Sequence, residues 1–452
     1  MNLMQNEGPY DTSVALPVRR IVAITLVCFA VSMIDGFDTL MLSFVAPLLS
    51  KSLNIDPASL GRVFGAGFIG TVVGSLIAGP LADRFGRRPT LVAALIMTGV
   101  FTLACAWATS ATELSILRLL GGLGMGGAIP PVTAITAESA PVRRRSALVI
   151  LMFIGFPLGA VVGGAISAVL MMRFGWPFVF QMGGAFALLV IVPVLWVLPA
   201  TAPGRNAQKG ERPGAVLQHR GMLPRVFADG RGVAATALWV GVLATMILSG
   251  FLVSFMPTLL HLNGVAPDRA AMGAVTLNVG AIVGALVLST VVSRAGPFVP
   301  VACSFIGGAV LTVVLGNLIG VGHATFGMLF AVGACLVGGQ LTFPAIASRL
   351  FPTDVRAAGV GATMAIGRLG SIIGPTVGGW LIARQMPLPQ IFVIAACMAL
   401  IGAAGVSIAR WRTPAQAEGH DGAAVSAQAA QPAQPSNAYG AQVPHGEVNH
   451  GR

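Results

Sequence analysis

What this chain has least of is charge. Asp, Glu, Lys and Arg make up 9% of its 452 residues, against 55% hydrophobic residues and a mean hydropathy of +0.84. Soluble domains carry roughly 25% charged residues, so no soluble fold could bury this much apolar side chain. Histidine is scarce too: His219, His261, His323, His420, His445 and His450 fall in loops, helix ends or the tail. That leaves no His-Glu-x-x-His, and there is no phosphate-binding loop and no nucleophile beside a base, so an enzyme is excluded. The five cysteines (Cys28, Cys105, Cys303, Cys335, Cys397) sit inside apolar stretches without metal-ligand spacing and read as packing residues. No metal and no cofactor is expected.

The apolar residues come in long blocks, each of a length that can cross a bilayer as a helix, for which roughly 20 residues suffice. Twelve such blocks are predicted, at about 21–49, 58–82, 89–109, 113–137, 146–172 and 176–198, then 233–260, 269–292, 298–320, 324–348, 357–383 and 388–410. The first starts after Arg19 and Arg20, is too long for the core of a signal peptide, and contains two aspartates. The expected organisation is a cytoplasmic segment at 1–20, a six-helix bundle at 21–198, a polar cytoplasmic loop at 199–232, a second bundle at 233–411, and a tail at 412–452. The tail is rich in Ala, Gln and Pro with too few large apolar residues to fold.

The net charge of +12 would suggest nucleic acid in a soluble protein; here it follows membrane topology. With a cytoplasmic amino terminus, 20 of the 27 Lys and Arg lie on the cytoplasmic side. Lys51, Arg62, Arg173, Arg269 and Arg384 lie on the other, and Arg118 and Arg368 lie in the membrane. The positive-inside rule then puts both termini in the cytoplasm. A bacterial inner membrane is the expected location, and no soluble sensor domain is available from the central loop or the tail.

The two halves resemble each other. Gly74 to Gly86 aligns with Gly284 to Gly296, and Pro141, Arg145, Gly159 and Gly163 recur at a constant offset as Pro352, Arg356, Gly370 and Gly374. A parallel repeat of six helices predicts an all-α membrane protein of twelve transmembrane helices in two pseudo-symmetric bundles, the major facilitator fold.

Four constellations interrupt the apolar blocks. The first is Asp35-Gly36-Phe37-Asp38, with both carboxylates on one helix face near mid-block. A charge there costs at least about 2.5–3.5 kcal/mol on insertion scales. Burial and mutual repulsion disfavour two simultaneous charges, which suits a proton-coupling site. The second is the loop Gly79-Pro-Leu-Ala-Asp83-Arg84-Phe-Gly86-Arg87-Arg88. Asp83 can accept hydrogen bonds from the amino end of a helix in the other half, and Arg87 can pair with Glu138, so Asp83, Arg84, Arg87 and Glu138 form a candidate gate. The second-half copy carries Ser293 in place of the acid, so any gate there is expected to be weaker.

The third constellation runs from Arg118 through Gly122, Gly124, Gly126 and Gly127 to Pro130-Pro131. Its glycines serve close helix packing, and its arginine requires a carboxylate or a substrate anion. The fourth, Gly367-Arg368-Leu-Gly370-Ser371, places a second buried arginine in the other half. Arg368 can bind a carboxylate through two parallel hydrogen bonds, or form a structural ion pair with Asp35 or Asp38. Gln340 and Asn278 are further pocket candidates, with tying helices together as the alternative.

On these residues, with Pro141-Val-Arg-Arg-Arg145 and Phe351-Pro-Thr-Asp354-Val-Arg356, the chain resembles the aromatic acid/proton symporter family over residues 20 to 410. The resemblance implies that Asp35 and Asp38 are needed for transport, that Asp83 and Arg87 gate, and that Arg118 and Arg368 support coupling or substrate binding. It further implies import of a small aromatic carboxylate of the 4-hydroxybenzoate or benzoate class, driven by the proton gradient; separately, a monomer is expected. Another organic acid, or efflux of a drug or metabolite, is the competing reading. A sugar would not require two buried arginines.

Overall fold

The computed structural model describes residues 17–141, 144–198, 227, 231–319, 322–351 and 355–411. Most of the expected amino-terminal segment and central loop, and the tail, lie outside the described residues. Among those described, the chain is helical throughout. The helices are α1 (Val18–Ser52), α2 (Pro57–Phe85), α3 (Arg87–Trp107), α4 (Ala111–Ser139), α5 (Arg145–Phe174) and α6 (Trp176–Val197). Then follow α7 (Gly232–Leu262), α8 (Pro267–Ala295), α9 (Phe298–Leu318), α10 (from Gly322 to Leu350), α11 (Arg356–Ala383) and α12 (Leu388–Trp411).

Eleven of these are long and apolar enough to cross a membrane. The other, α11, is of similar length at 28 residues and is diluted by Arg368 and a run of glycines. Each helix coincides with a predicted block to within three residues. Arg19 and Arg20 fall inside the first turn of α1 rather than in a preceding segment.

Local chemistry explains the boundaries. The Asp56 carboxylate caps α2, accepting from the backbone N–H groups of Ala58 (3.0 Å) and Ser59 (3.1 Å), and Pro57 stands at the first helical position. At α4, Ser110 accepts from the Glu113 N–H while Glu113 accepts from the Thr109 N–H, a reciprocal cap shifted by one residue. Gly86 ends α2 at φ 96° and Gly296 ends α8 at φ 75°, a left-handed conformation that glycine adopts without strain. These two residues occupy the same position of the sequence repeat.

Packing repeats the symmetry. In the first six helices α1 packs on α5, α2 on α4 and α3 on α6; in the second six, α7 packs on α11, α8 on α10 and α9 on α12. Glycines bring the backbones together: a side chain at Gly36 would strike the Phe156 carbonyl, and one at Gly70 or Gly74 would strike the carbonyls of Leu119 or Leu123. Gly280 and Gly284 face the backbone of α10, and Gly370 and Gly374 that of α7, in the same way. In an apolar solvent such close contact is what holds helices together, because hydrophobic transfer contributes little. The helix α10 departs from regularity with a π-helical turn at Gly333–Val337, where Ser304 donates to the Cys335 carbonyl (2.7 Å).

The halves meet chiefly at one end, where α1, α7 and α11 finish and α2 and α8 begin. There Ser43 donates to the Val253 carbonyl (2.7 Å), and the Phe64 and Phe255 rings lie 5.5 Å apart. Gly61 and Gly65 lie against Pro375 and Thr376, and Gly379 against Pro57. Nearer the middle, Arg368 donates to Ser75. Beyond that contact, no hydrogen bond or ion pair among the described residues joins the halves.

Candidate functional site

Both aspartates of α1 are buried, Asp35 at 8% and Asp38 at 3% exposure, beneath the closed end. Asp38 is held by two neighbouring helices. Arg118, on α4 and itself 5% exposed, places Nη1 3.2 Å from Asp38 Oδ1, and its Nη2 donates to the Asp38 main-chain carbonyl at 2.9 Å. Thr102 of α3 donates to the same Oδ1 at 2.7 Å. The α4 glycines make this possible: Gly122 and Gly126 let α4 lie against α2, and Gly124 lets it lie against α3 at Thr98. An arginine between those contacts is thereby directed at α1.

Asp35 lies one turn earlier with Thr39 as its polar neighbour, close enough to Arg368 of α11 and to Asp38 for both to act on it electrostatically. Arg368 is exposed at the parting of the halves, and Ser75 of α2 accepts from its Nη1. The two arginines therefore differ. Arg118 forms the buried ion pair with Asp38, and Arg368 presents a guanidinium from the other half.

The weaker candidates are anchored to main chain. Gln340, 6% exposed, donates to the Thr245 carbonyl (2.7 Å) and links α10 to α7; Asn278, 6% exposed, donates to the Ala274 carbonyl of its own helix (2.8 Å). Of the candidate gate, Arg87 and Glu138 form an ion pair, joining the start of α3 to the end of α4. Arg84 lies over the Phe85 ring at 5.3 Å, and Asp83 is exposed. Arg88 donates to the Leu195 carbonyl of α6. Among the described residues, all these contacts stay within the first six helices. Sequence reasoning did not single out Thr102 or Ser75. Hydroxyls are common in apolar helices, and nothing in their spacing marks these two.

Two cavities adjoin α1. One, of about 400 Å³, is apolar and lies between α1, α5 and α6, with Met33, Phe37, Val162 and Phe186 in its wall. The other, of about 20 Å³, is bounded by Asp38, Thr39, Thr71 and Arg118. Among the described residues no group of three His, Cys, Asp or Glu could hold a metal, and all five cysteines are free.

A closed end and a parting of the halves, with a buried ion pair in the first half and an exposed arginine of the second, are the arrangement of a membrane transporter. The chain belongs to the Major Facilitator Superfamily, whose pattern residues 28–375 match. Within it, its relatives include aromatic acid transporters. The chain is 31% identical over 414 residues to a gallate transporter of Pseudomonas putida, covering 86% of this chain and 92% of that protein. It is 32% identical over 407 residues to the 4-hydroxybenzoate transporter PcaK of Pseudomonas aeruginosa, covering 85% and 91%. Among solved structures, a D-xylose-proton symporter superposes with a TM-score of 0.68 at 20% identity, over 85% of this chain and 96% of that one. That likeness concerns the fold.

Proposed function

We propose that the chain imports a small aromatic carboxylate together with protons, by alternating access between its two halves. The observation that carries this reading is the pairing of charges in the interior. One half supplies two carboxylates and only one ion-paired arginine, and the other half supplies an exposed arginine to the same region. A carboxylate entering between the halves meets Arg368, whose planar fork can take two oxygens. Gln340 on α10 and Asn278 on α8 remain the further candidates for the substrate pocket.

Proton coupling follows from the cost of charge in an apolar interior. With Asp35 and Asp38 ionised, the site carries two negative charges against Arg118 and Arg368. An incoming anion adds a third, and a proton on either aspartate offsets it. The neutralised assembly can then pass through an occluded state. With both termini cytoplasmic, the closed end is the outer one, and the cytoplasmic side carries Asp83, Arg84, Arg87 and Glu138. On this reading those four close the opposite end in the alternate state. The gallate and 4-hydroxybenzoate relatives support the aromatic class.

The test is uptake of radiolabelled 4-hydroxybenzoate and benzoate by cells expressing the protein, with and without a protonophore. Uptake abolished by the protonophore is expected. Uptake of neither acid would move the assignment to another organic acid or to efflux, and unimpaired uptake by both Asp35→Asn and Asp38→Asn would remove the proton-coupling role.

A further inference from the structure

The small cavity beside Asp38 has a use that the ion pair does not explain. Asp38 Oδ1 takes both side-chain donors, Thr102 and Arg118. Its partner oxygen Oδ2 accepts no hydrogen bond among the described residues. The cavity that Asp38 lines is about 20 Å³, bounded also by Thr39, Thr71, Arg118, Gly67, Gly122 and apolar side chains of α1 and α2. That is room enough for water, which needs two to four polar partners. Asp38, Thr39, Thr71 and Arg118 supply them. Thr39, which also lines the cavity, lies one turn after Asp35 on α1.

We propose that Asp38 exchanges its proton with water in this recess, with Thr102 as the positioning residue that holds Oδ1 and leaves Oδ2 for the water. Thr102 is 1% exposed and its hydroxyl comes from a third helix, so it fixes the carboxylate rotation independently of Arg118. The transfer is a simple exchange: the water gives a proton to Oδ2 and is reprotonated from the parting of the halves, and no bond other than O–H is made or broken. The charged and titratable groups around Asp38 are Arg118 of α4, Asp35 of its own helix and Cys105 at the end of α3, while Arg368 of α11 reaches Asp35. Neighbouring α2, α5 and α7 carry their ionisable groups toward their ends, and α6 has none. The inference rests on the proton-coupling role of Asp38 proposed above.

Two variants probe it while leaving both charges of the ion pair in place. A methyl group at Gly67 would stand 3.7 Å from Arg118 Nε, an ordinary contact, so Gly67→Ala occupies the cavity without forcing the helices apart. Thr102→Val removes the hydroxyl at nearly constant shape, and Thr102→Ser restores it. Two readouts are taken on the same proteins. The first is pH-dependent uptake of labelled 4-hydroxybenzoate into proteoliposomes, beside substrate counterflow, which requires no net proton movement. The second is infrared pH titration of the purified protein, with the Asp38 carboxyl band identified by its loss in Asp38→Asn.

Gly67→Ala should slow proton-driven uptake about tenfold while counterflow persists. Thr102→Val should displace both the infrared midpoint and the uptake midpoint by about one pH unit, the worth of one hydrogen bond to a charged group, and Thr102→Ser should return them. An Asp38 band moved by both variants in a protein with no proton-driven uptake would uphold the water site and refute the transport reading. Titration and uptake unchanged in Gly67→Ala and Thr102→Val would overturn the proposal.

Discussion

Consider removing the Asp38–Arg118 pair one partner at a time. Both side chains are nearly inaccessible, at 5% and 6%, and they lie 3.2 Å apart. A solvent-exposed pair of that geometry would contribute about 0–1 kcal/mol. Here the alternative to the partner is an apolar helix bundle, so stranding one charge is the dominant effect. Asp38→Leu leaves the Arg118 guanidinium without its carboxylate, and Arg118→Met leaves the Asp38 carboxylate with only Thr102. Each should cost about 3–5 kcal/mol, whereas replacing both with apolar residues of similar volume is often nearly neutral. The double variant should therefore lose no more than the worse single one, a coupling of at least about 3 kcal/mol. Unfolding of the purified proteins in mixed dodecylmaltoside–SDS micelles measures all four corners of this cycle. Losses that simply add, to within about 0.5 kcal/mol, would refute the claim that the two charges stabilise each other. The double variant also separates stability from function, since it should remain folded while its uptake no longer responds to the proton gradient.

The closed end can be tested at Gly61, whose added Cβ would stand 2.6 Å from the Pro375 carbonyl. Overpacking of about 1–3 kcal/mol in Gly61→Leu should force α2 from α11 and raise labelling of a Ser43→Cys reporter by an impermeant maleimide about tenfold; unchanged labelling would mean this seam does not hold the end shut. Arg368→Lys keeps the charge but loses the planar fork, so KM for 4-hydroxybenzoate should rise about tenfold with the maximal rate largely kept. A fall in maximal rate at constant KM would place Arg368 outside substrate binding. Asp56→Ala removes the cap of α2 and should cost about 1 kcal/mol at neutral pH. Donation from the Ser59 hydroxyl holds the Asp56 carboxyl below its usual range, with burial opposing slightly. The stabilisation is thus complete above the ordinary carboxylate pKa of about 3.9 and disappears as pH falls through the lower folded value. Thermal unfolding of the two proteins at pH 7 and in acid would show the gap closing.

How far the site could be read ahead of the fold differs from residue to residue. Asp35, Asp38, Arg118 and Arg368 were conspicuous because a charge in an apolar block has few structural excuses. Their partners were not. From the sequence, either arginine could have met either aspartate or a substrate, and the structure gives Asp38 to Arg118 and the exposed position to Arg368. Asp83 was expected to reach a helix of the other half; it stands exposed, while Arg87 and Glu138 do pair as expected. Gln340 and Asn278 were as compatible with helix ties as with a pocket, and their amides are directed to main-chain carbonyls.

The sequence by itself determined the twelve helices, their boundaries and the six-helix repeat. Hydropathy over roughly 20 residues, caps such as Asp56 and left-handed glycines such as Gly86 and Gly296 all act within a few turns of chain. Tertiary structure alone decided the Thr102–Asp38–Arg118 cluster, whose members lie 64 and 80 positions from Asp38 in the chain. It likewise decided which end of the molecule closes. The physical reason is that these outcomes depend on how each helix is rotated about its axis and how closely it approaches the next. In this protein those quantities follow from glycine-to-backbone contacts between helices distant in sequence, and no local pattern records which glycine meets which carbonyl.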